Sequence, residues 1–311
     1  MRRIIGIGET IFDILFKDEM PFKAVPGGSV FNSMISLGRL GLQPTFLSEI
    51  GKDRVGDIIL RFMEQNNIST QHMYRYYDGQ SPVSLAFLDQ HHEASYEFYM
   101  NYPADRLDIV WPRIDADDIL IFGSYYSLKP ELRPVLVDLL QYAKERKALV
   151  YYDPNFRSNH AARALHVMPS IIENLEFADI VRGSREDFRN IYNETDIDKI
   201  YRNHIRFYCP FFICTDGAEG VYLRTPGISK HYPALPASPV SLIGAGDALN
   251  AGILYAVLKY NITLENLSTL SETMWDRVIE TGQQFAVEVC GQDENYISLS
   301  FADKLKDKMI Y

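Results

Sequence analysis

An α/β fold built on a largely parallel, buried sheet is what this 311-residue sequence predicts. Three observations carry that reading. Short apolar runs alternate with longer helical patterns, the arrangement in which helices cover parallel strands. Apolar residues make up 47% of the chain and charged residues 23%, enough for a large core and too little charge for broad disorder. No repeat, low-complexity tract or linker interrupts the alternation, and a chain of this length forms one large α/β domain or two.

The elements follow in order. Ile4–Ile7, Thr45–Ile50, Ile119–Phe122, Ala148–Tyr152, Asp179–Val181 and Phe211–Thr215 are short apolar runs and predict strands. Between them Phe31–Leu40, Asp57–Asn66, Glu131–Arg146 and Ser184–Tyr192 carry helical spacing. Two segments break the alternation. Phe12–Phe16 with Lys23–Val25, and Val83–Leu88 with Ser95–Met100, predict strand pairs. Alternation such as Tyr96-Glu97-Phe98-Tyr99 suits a sheet with one wet face, so a small β-sheet lid is expected from about residues 11–27 and 69–105. His91, His92 and Glu93 fall in the polar turn of the second pair and read as a solvated turn rather than a metal site. Helices over about 247–260, 274–290 and 301–308 close the chain.

Composition excludes several classes. The net charge of −10, from 31 basic and 41 acidic residues, argues against a general nucleic-acid binder. Cys209, Cys214 and Cys290 form neither a disulfide framework nor a CxxC metal pair. With no leader-like start and no apolar span of about 20 residues, a reducing, cytoplasmic setting without a membrane is expected.

The strongest chemical signal is Gly244-Ala245-Gly246-Asp247, small residues running straight into an apolar helix. Small side chains let a ligand reach the backbone, and the start of a helix presents unpaired N–H groups to an anion. Taken alone, the run also fits a tight turn with Asp247 as helix N-cap. Its companions add context. Pro26-Gly27-Gly28-Ser29-Val30-Phe31-Asn32 precedes Leu40-Gly41 and Gly51-Lys52-Asp53-Arg54-Val55-Gly56-Asp57. Thr215-Asp216-Gly217-Ala218-Glu219-Gly220 follows an apolar strand, and Asp153-Pro154-Asn155-Phe156-Arg157 closes another.

Together these segments resemble the PfkB, or ribokinase-like, carbohydrate kinases over nearly the whole chain, with fructokinases the nearest pattern. The resemblance implies a single domain over residues 1–311, a ribokinase-like three-layer sandwich with a mostly parallel central sheet and a small β-sheet lid. It implies that Asp247 is the catalytic base and that Gly244, Ala245 and Gly246 form an anion hole for the transferring phosphoryl group, assisted by Arg157. Sugar hydroxyls would meet Asp13, Gly27, Gly28, Asn32 and Phe98 as well as Asp247. Thr215, Gly217, Gly220, Gly244, Gly246, Ser184 and Gln284 would serve ATP. Magnesium would be held through water by Asp187 or Glu186, which occupy the acidic end of a family motif that begins at Ser184.

One departure bears on ions. The family's Asp-Thr pair before the glycine run is Ser241-Leu242 here. Losing a carboxylate ligand argues against activation by a monovalent cation. The expected activity is ATP-dependent phosphorylation of a primary hydroxyl of a hexose, fructose first. A 2-keto-3-deoxygluconate kinase is the alternative within the class, and a non-catalytic sugar-binding regulatory protein on a kinase fold is the alternative outside it. Homodimerisation through the lid is a further expectation.

Overall fold

The computed structural model describes residues 2–88 and 94–307. The turn with His91, His92 and Glu93 lies outside the described residues. In chain order the elements are β1 (Ile4–Ile7), β2 (Ile11–Lys17), β3 (Met20–Gly27), α1 (Ser29–Arg39), β4 (Thr45–Gly51), α2 (Arg54–Gln65), β5 (Met73–Tyr76), β6 (Gln80–Leu88), β7 (Ala94–Asn101) and β8 (Ile119–Gly123). Then come α3 (Arg133–Glu145), β9 (Leu149–Asp153), α4 (Ala164–Phe177), β10 (Ile180–Ser184), α5 (Arg185–Tyr192), α6 (Ile197–Ile200), β11 (Phe212–Thr215), β12 (Val221–Arg224), β13 (Ser229–Tyr232), α7 (Ala245–Lys259), α8 (Glu272–Cys290) and α9 (Leu299–Asp307). The chain forms two compact units, one centred on Arg113–Pro236 with Gly252–Gln283, the other on Ile5–Pro112 with Ala237–Ala251 and Gln284–Tyr311.

In the first unit β8, β9, β10 and β11 are parallel neighbours, and β12 and β13 continue antiparallel beyond β11. The parallel strands are buried throughout, except that β10 and β11 emerge at their last residues, Ser184 and Thr215. That is why they read as mostly apolar runs instead of alternations, Arg182 in β10 and Asp153 at the end of β9 being the charged exceptions. Tyr151, Tyr152, Phe122, Phe156, Phe188 and Phe212 fill the core around them. Cys209 and Cys214 are free, and burial pushes both thiols up to about 12.

In the second unit β1, β4 and β5 are parallel neighbours. Beside this small sheet in the same unit is a four-stranded mixed sheet in the order β3-β2-β6-β7. Its pairs β2–β3 and β6–β7 are antiparallel, as the two strand pairs read from the sequence, and β2–β6 is parallel. Helix α2 starts where Asp53 accepts from the Gly56 N–H, a side-chain cap for one of the unpaired donors of a helix start. Helix α1 begins at Gly28, whose φ of 130° lies in the region that side chains rarely adopt.

The six expected strands and four expected helices form within a few residues of their sequence bounds. Helix α4 is absent from the sequence reading because Pro169 sits inside it and reads as a breaker. Strands β5, β12 and β13, of four residues each, are too short to show a period. Among the described residues no helix is long and apolar enough to cross a membrane.

Candidate active site

In the second unit, Gly244 has φ of 81°, and its carbonyl accepts the Ala248 N–H at 2.8 Å. Gly244 therefore takes the capping position, and Asp247 is the third residue of α7, not its N-cap. The Ala245 N–H closes a long turn contact of 3.3 Å onto the Leu242 carbonyl. A Cβ on Gly244 would stand 2.4 Å from the Asn295 carbonyl oxygen, so nothing larger than glycine fits there.

Asp247 is 6% exposed, and Asn32 of α1 is 5% exposed. The Asn32 Nδ2 donates to Asp247 Oδ2 at 2.8 Å. The next residue, Ser33, donates from Oγ to the Asp247 carbonyl at 2.8 Å. The Asn32 Oδ1 is buried with no hydrogen-bond partner among the described residues. A buried acceptor left open is uncommon and marks a place where a donor such as a hydroxyl is wanted.

Asp13 and Gly27 are close neighbours: a Cβ on Gly27 would fall 2.1 Å from Asp13 Oδ2. A Cβ on Gly28 would fall 2.2 Å from the Glu9 carbonyl oxygen. The Asp13 carboxylate accepts from Ser84 Oγ. Asp13, Ser84 and Phe98 pair in register across β2, β6 and β7, so their side chains share one face of the mixed sheet. Phe98 is 41% exposed and stacks on Tyr96 at 5.8 Å. Glu9 accepts from the Tyr102 hydroxyl, and Arg106, buried and ion-paired with Glu49, lies over the Tyr102 ring at 3.7 Å.

The first unit carries a separate group at the carboxyl ends of its parallel strands, the edge where open α/β sheets bind ligands. Ser184 and Thr215 pair in register at the ends of β10 and β11. Arg182, 5% exposed, donates from Nη1 to Asp153 Oδ2 at 2.9 Å and from Nη2 to Thr215 Oγ1 at 2.8 Å. Burial would weaken its hold on a proton, but the Asp153 carboxylate, with Tyr151 and Asp187 beside it, outweighs this and keeps the guanidinium charged. Its Nε is buried without a hydrogen-bond partner among the described residues. Gly217 has φ of 51° with nothing within 4 Å of a Cβ, an open backbone, whereas Gly220 packs its backbone on the Tyr232 carbonyl. Arg185 pairs with Asp216 of the same loop at 2.8 Å.

Of the two acids read as facing magnesium, Asp187 is buried and completes a capping box: Ser184 N–H and Oγ both donate to its Oδ2. Burial pushes the Asp187 carboxyl up, and the like charge of Asp153 adds to the shift. Glu186 is exposed and lies 3.8 Å from Arg189. Among the described residues no three His, Cys, Asp or Glu side chains cluster as a ready ligand set, so a divalent ion here would need water and phosphate for most of its shell. Arg157 is exposed at the start of the short helix Ser158–Arg163, and Gln284 is exposed on α8. Arg182, Arg185, Ser33 and Ser84 are absent from the sequence reading. A charge inside the apolar strand Ile180-Val181-Arg182 is the one signal that marks any of them, because a buried arginine needs a partner.

The sequence profile described as "pfkB family carbohydrate kinase" matches residues 1–296. The fructokinase of Rhizobium leguminosarum bv. trifolii is 28% identical over 278 residues, covering 86% of this chain and 84% of that protein. The fructokinase of Vibrio cholerae O395, solved with fructose, ADP and calcium ion bound, superposes with a TM-score of 0.83 at 19% identity over 98% of both chains. The aminoimidazole riboside kinase of Salmonella enterica, solved with aminoimidazole riboside and an ATP analog, superposes with a TM-score of 0.81 at 19% identity over 98% of this chain and 99% of that one. The fold is thus the ribokinase-like α/β fold of these enzymes.

Proposed function

The chain belongs to the pfkB family of carbohydrate kinases and is an ATP-dependent sugar kinase, and we propose that it phosphorylates a primary hydroxyl of a neutral hexose, fructose first, with Asp247 as proton acceptor. The carrying observation is the buried Asn32–Asp247 pair with its open Asn32 Oδ1. A sugar hydroxyl donating to Asn32 Oδ1 is held beside the carboxylate that accepts a proton from the attacking hydroxyl. Asp13 and the exposed ring of Phe98 lie on one face of the mixed sheet and offer a hydroxyl acceptor and an apolar wall, as a polyol requires.

Phosphoryl transfer demands positioning and charge stabilisation more than covalent chemistry. The start of α7 offers N–H groups at Gly244 and Gly246, with that of Ala245 held only by the 3.3 Å contact to Leu242, and the positive end of a helix dipole. On the nucleotide side Thr215, Gly217, Gly220 and Ser184 are assigned to ATP, with Arg157 toward the phosphates and Gln284 toward adenine. A magnesium ion bound with the nucleotide would supply positive charge against the phosphoryl oxygens. Glu186, being exposed, suits a water-mediated contact with it better than Asp187, whose Oδ2 holds the helix cap.

Arg106 favours a neutral sugar over 2-keto-3-deoxygluconate. It is an arginine of the lid-end segment, but its charge is matched by Glu49, to which Nε donates at 2.7 Å. A substrate carboxylate would have to compete with that buried pair. A coupled ADP-release screen over hexoses, pentoses, sugar acids and nucleosides tests the proposal. Fructose should give the highest kcat/KM. A sugar acid in first place would replace the neutral hexose, and sugar binding without ADP release would point to a regulatory protein. We also propose that the mixed sheet pairs with a second copy in the cytoplasm, because Met20, Phe22 and Tyr99 are exposed on its edge strands. Sedimentation as a monomer at micromolar concentration would remove that part.

A further inference from the structure

Helix α1 is buried from Val30 to Arg39, yet four of these residues are polar: Asn32, Ser33, Ser36 and Arg39. Polar groups in a buried helix are tolerated only where each finds a partner. Asn32 and Ser33 hold Asp247. One turn on, Ser36 Oγ accepts from the Ile297 N–H at 3.3 Å. A further turn on, Arg39 donates from Nη1 to the Ile297 carbonyl at 2.8 Å and to Glu294 Oε2 at 2.6 Å, and from Nε to Asn66 Oδ1 at 2.8 Å. Its guanidinium also lies 4.7 Å from the centre of the Tyr296 ring. Residues 294, 296 and 297 are therefore all tied to one arginine.

The residue between them, Asn295, is the one whose backbone abuts Gly244. A Cβ on Gly244 would come 2.4 Å from the Asn295 oxygen and 2.8 Å from its Cα. The opening of the anion-hole helix thus rests on a segment that Arg39 clamps. The residues leading into Gly244 are fastened just ahead of that segment, at the end of α8, since Val240 and Ser241 donate from their N–H groups to the Cys290 carbonyl at 2.7 and 3.3 Å. Positions 32, 36 and 39 fall on one face of α1. That face grips the base at one end and the floor of the anion hole at the other.

We propose that Arg39 is a positioning residue for phosphoryl transfer: through residues 294–297 it fixes the backbone of Gly244 and so the N–H groups that meet the transferring phosphoryl group. This rests on the kinase reading of the Gly244–Asp247 run. Arginine suits the task because its planar fork bonds in several directions at once, while lysine carries the charge without the fork. A role in the transition state lowers kcat and leaves ground-state binding nearly unchanged.

The test compares wild type, Arg39→Lys, Arg39→Met and the double variant Ser36→Ala/Glu294→Ala, the last loosening the same segment without removing the buried cation. Each is measured for kcat and both KM values below its melting temperature, for hexose binding by calorimetry, and for trapping of ADP with aluminium fluoride and magnesium, a mimic of the transferring group. Arg39→Met should lower kcat at least about tenfold and weaken aluminium fluoride trapping by a similar factor. Hexose binding and both KM values should stay within about threefold, with Arg39→Lys in between and the double variant moving in the same direction. A folded Arg39→Met with kcat within twofold of wild type overturns the role. If Arg39→Met does not fold, an unaltered kcat in the double variant overturns it. Equal losses of sugar binding and trapping would mark a purely structural brace and overturn it too. A wild type that turns over no sugar overturns the kinase reading and this inference together.

Discussion

Asn32 and Asp247 stand 215 residues apart in the chain and 2.8 Å apart in the fold, with the amide of one donating to the carboxylate of the other. The amide orients Asp247 and keeps an acceptor open beside it. Replacing Asp247 with Asn removes the carboxylate proposed as proton acceptor but leaves an amide oxygen for Asn32 to bond. Asp247→Asn is expected to lower kcat by about 10²–10⁴-fold while hexose binding persists. Steady-state kinetics with calorimetry checks this. Turnover above a few per cent of wild type would remove Asp247 as base.

Asn32→Leu keeps the volume and removes both functions of the amide. Asp247 then loses a buried charge-assisted bond, and the proposed sugar site loses its open acceptor. The expected result is a fall of about 10–100-fold in kcat/KM for the sugar, with KM for ATP within about threefold. A matching rise in the KM for ATP would show that the unit as a whole has loosened instead.

Arg182 ties Asp153 at the end of β9 to Thr215 at the head of the loop assigned to ATP. Lysine keeps the charge but not the two-way reach. Arg182→Lys should raise KM for ATP about tenfold and leave sugar binding alone. An unchanged KM for ATP in a folded variant would detach Thr215 from nucleotide binding or Arg182 from Thr215.

Asp53 joins α2 to β6. Its Oδ1 accepts from Gly56 N–H and Ser81 Oγ, and its Oδ2 from Ser81 N–H. Burial acts to raise its pKa, but the bonds from Ser81 and Gly56 outweigh it and hold the carboxyl below the ordinary 3.8. A depressed native pKa contributes stability that is present above 3.8 and lost as pH falls through the native value. Asp53→Ala is expected to destabilise by about 1–2 kcal/mol at pH 7. Urea unfolding at pH 7 and pH 3 should show the gap from wild type narrowing in acid, and a gap that widens would contradict the assignment.

Ser241 stands where the family carries an acid, and its Oγ accepts the Ile243 N–H at 3.2 Å within the turn. Together with the Val240 and Ser241 bonds to Cys290, the approach to Gly244 is braced by the chain itself. Turnover should agree within about twofold in potassium, sodium and tetramethylammonium chloride at equal ionic strength. Selective activation by potassium would show that carbonyl oxygens alone suffice for a cation there.

The sequence by itself determined the α/β class, the parallel strands and, through its glycine-bearing loops, the family. Buried parallel strands are mostly apolar, and helix starts and tight turns announce themselves through Ser184, Gly28 and the Gly244–Asp247 run, because those features depend on neighbours a few residues away. Helix α4 escapes such reading because Pro169 argues locally against a helix that packing nonetheless maintains. Only the tertiary structure decided which side chains meet. It showed that Asp247 sits inside the first turn of α7 with Asn32 against it, that Arg182 bridges Asp153 and Thr215, and that Arg39 clamps the segment under Gly244. Those partners lie far apart in the chain, and no local periodicity or propensity encodes a contact whose energy comes from burying two polar groups together.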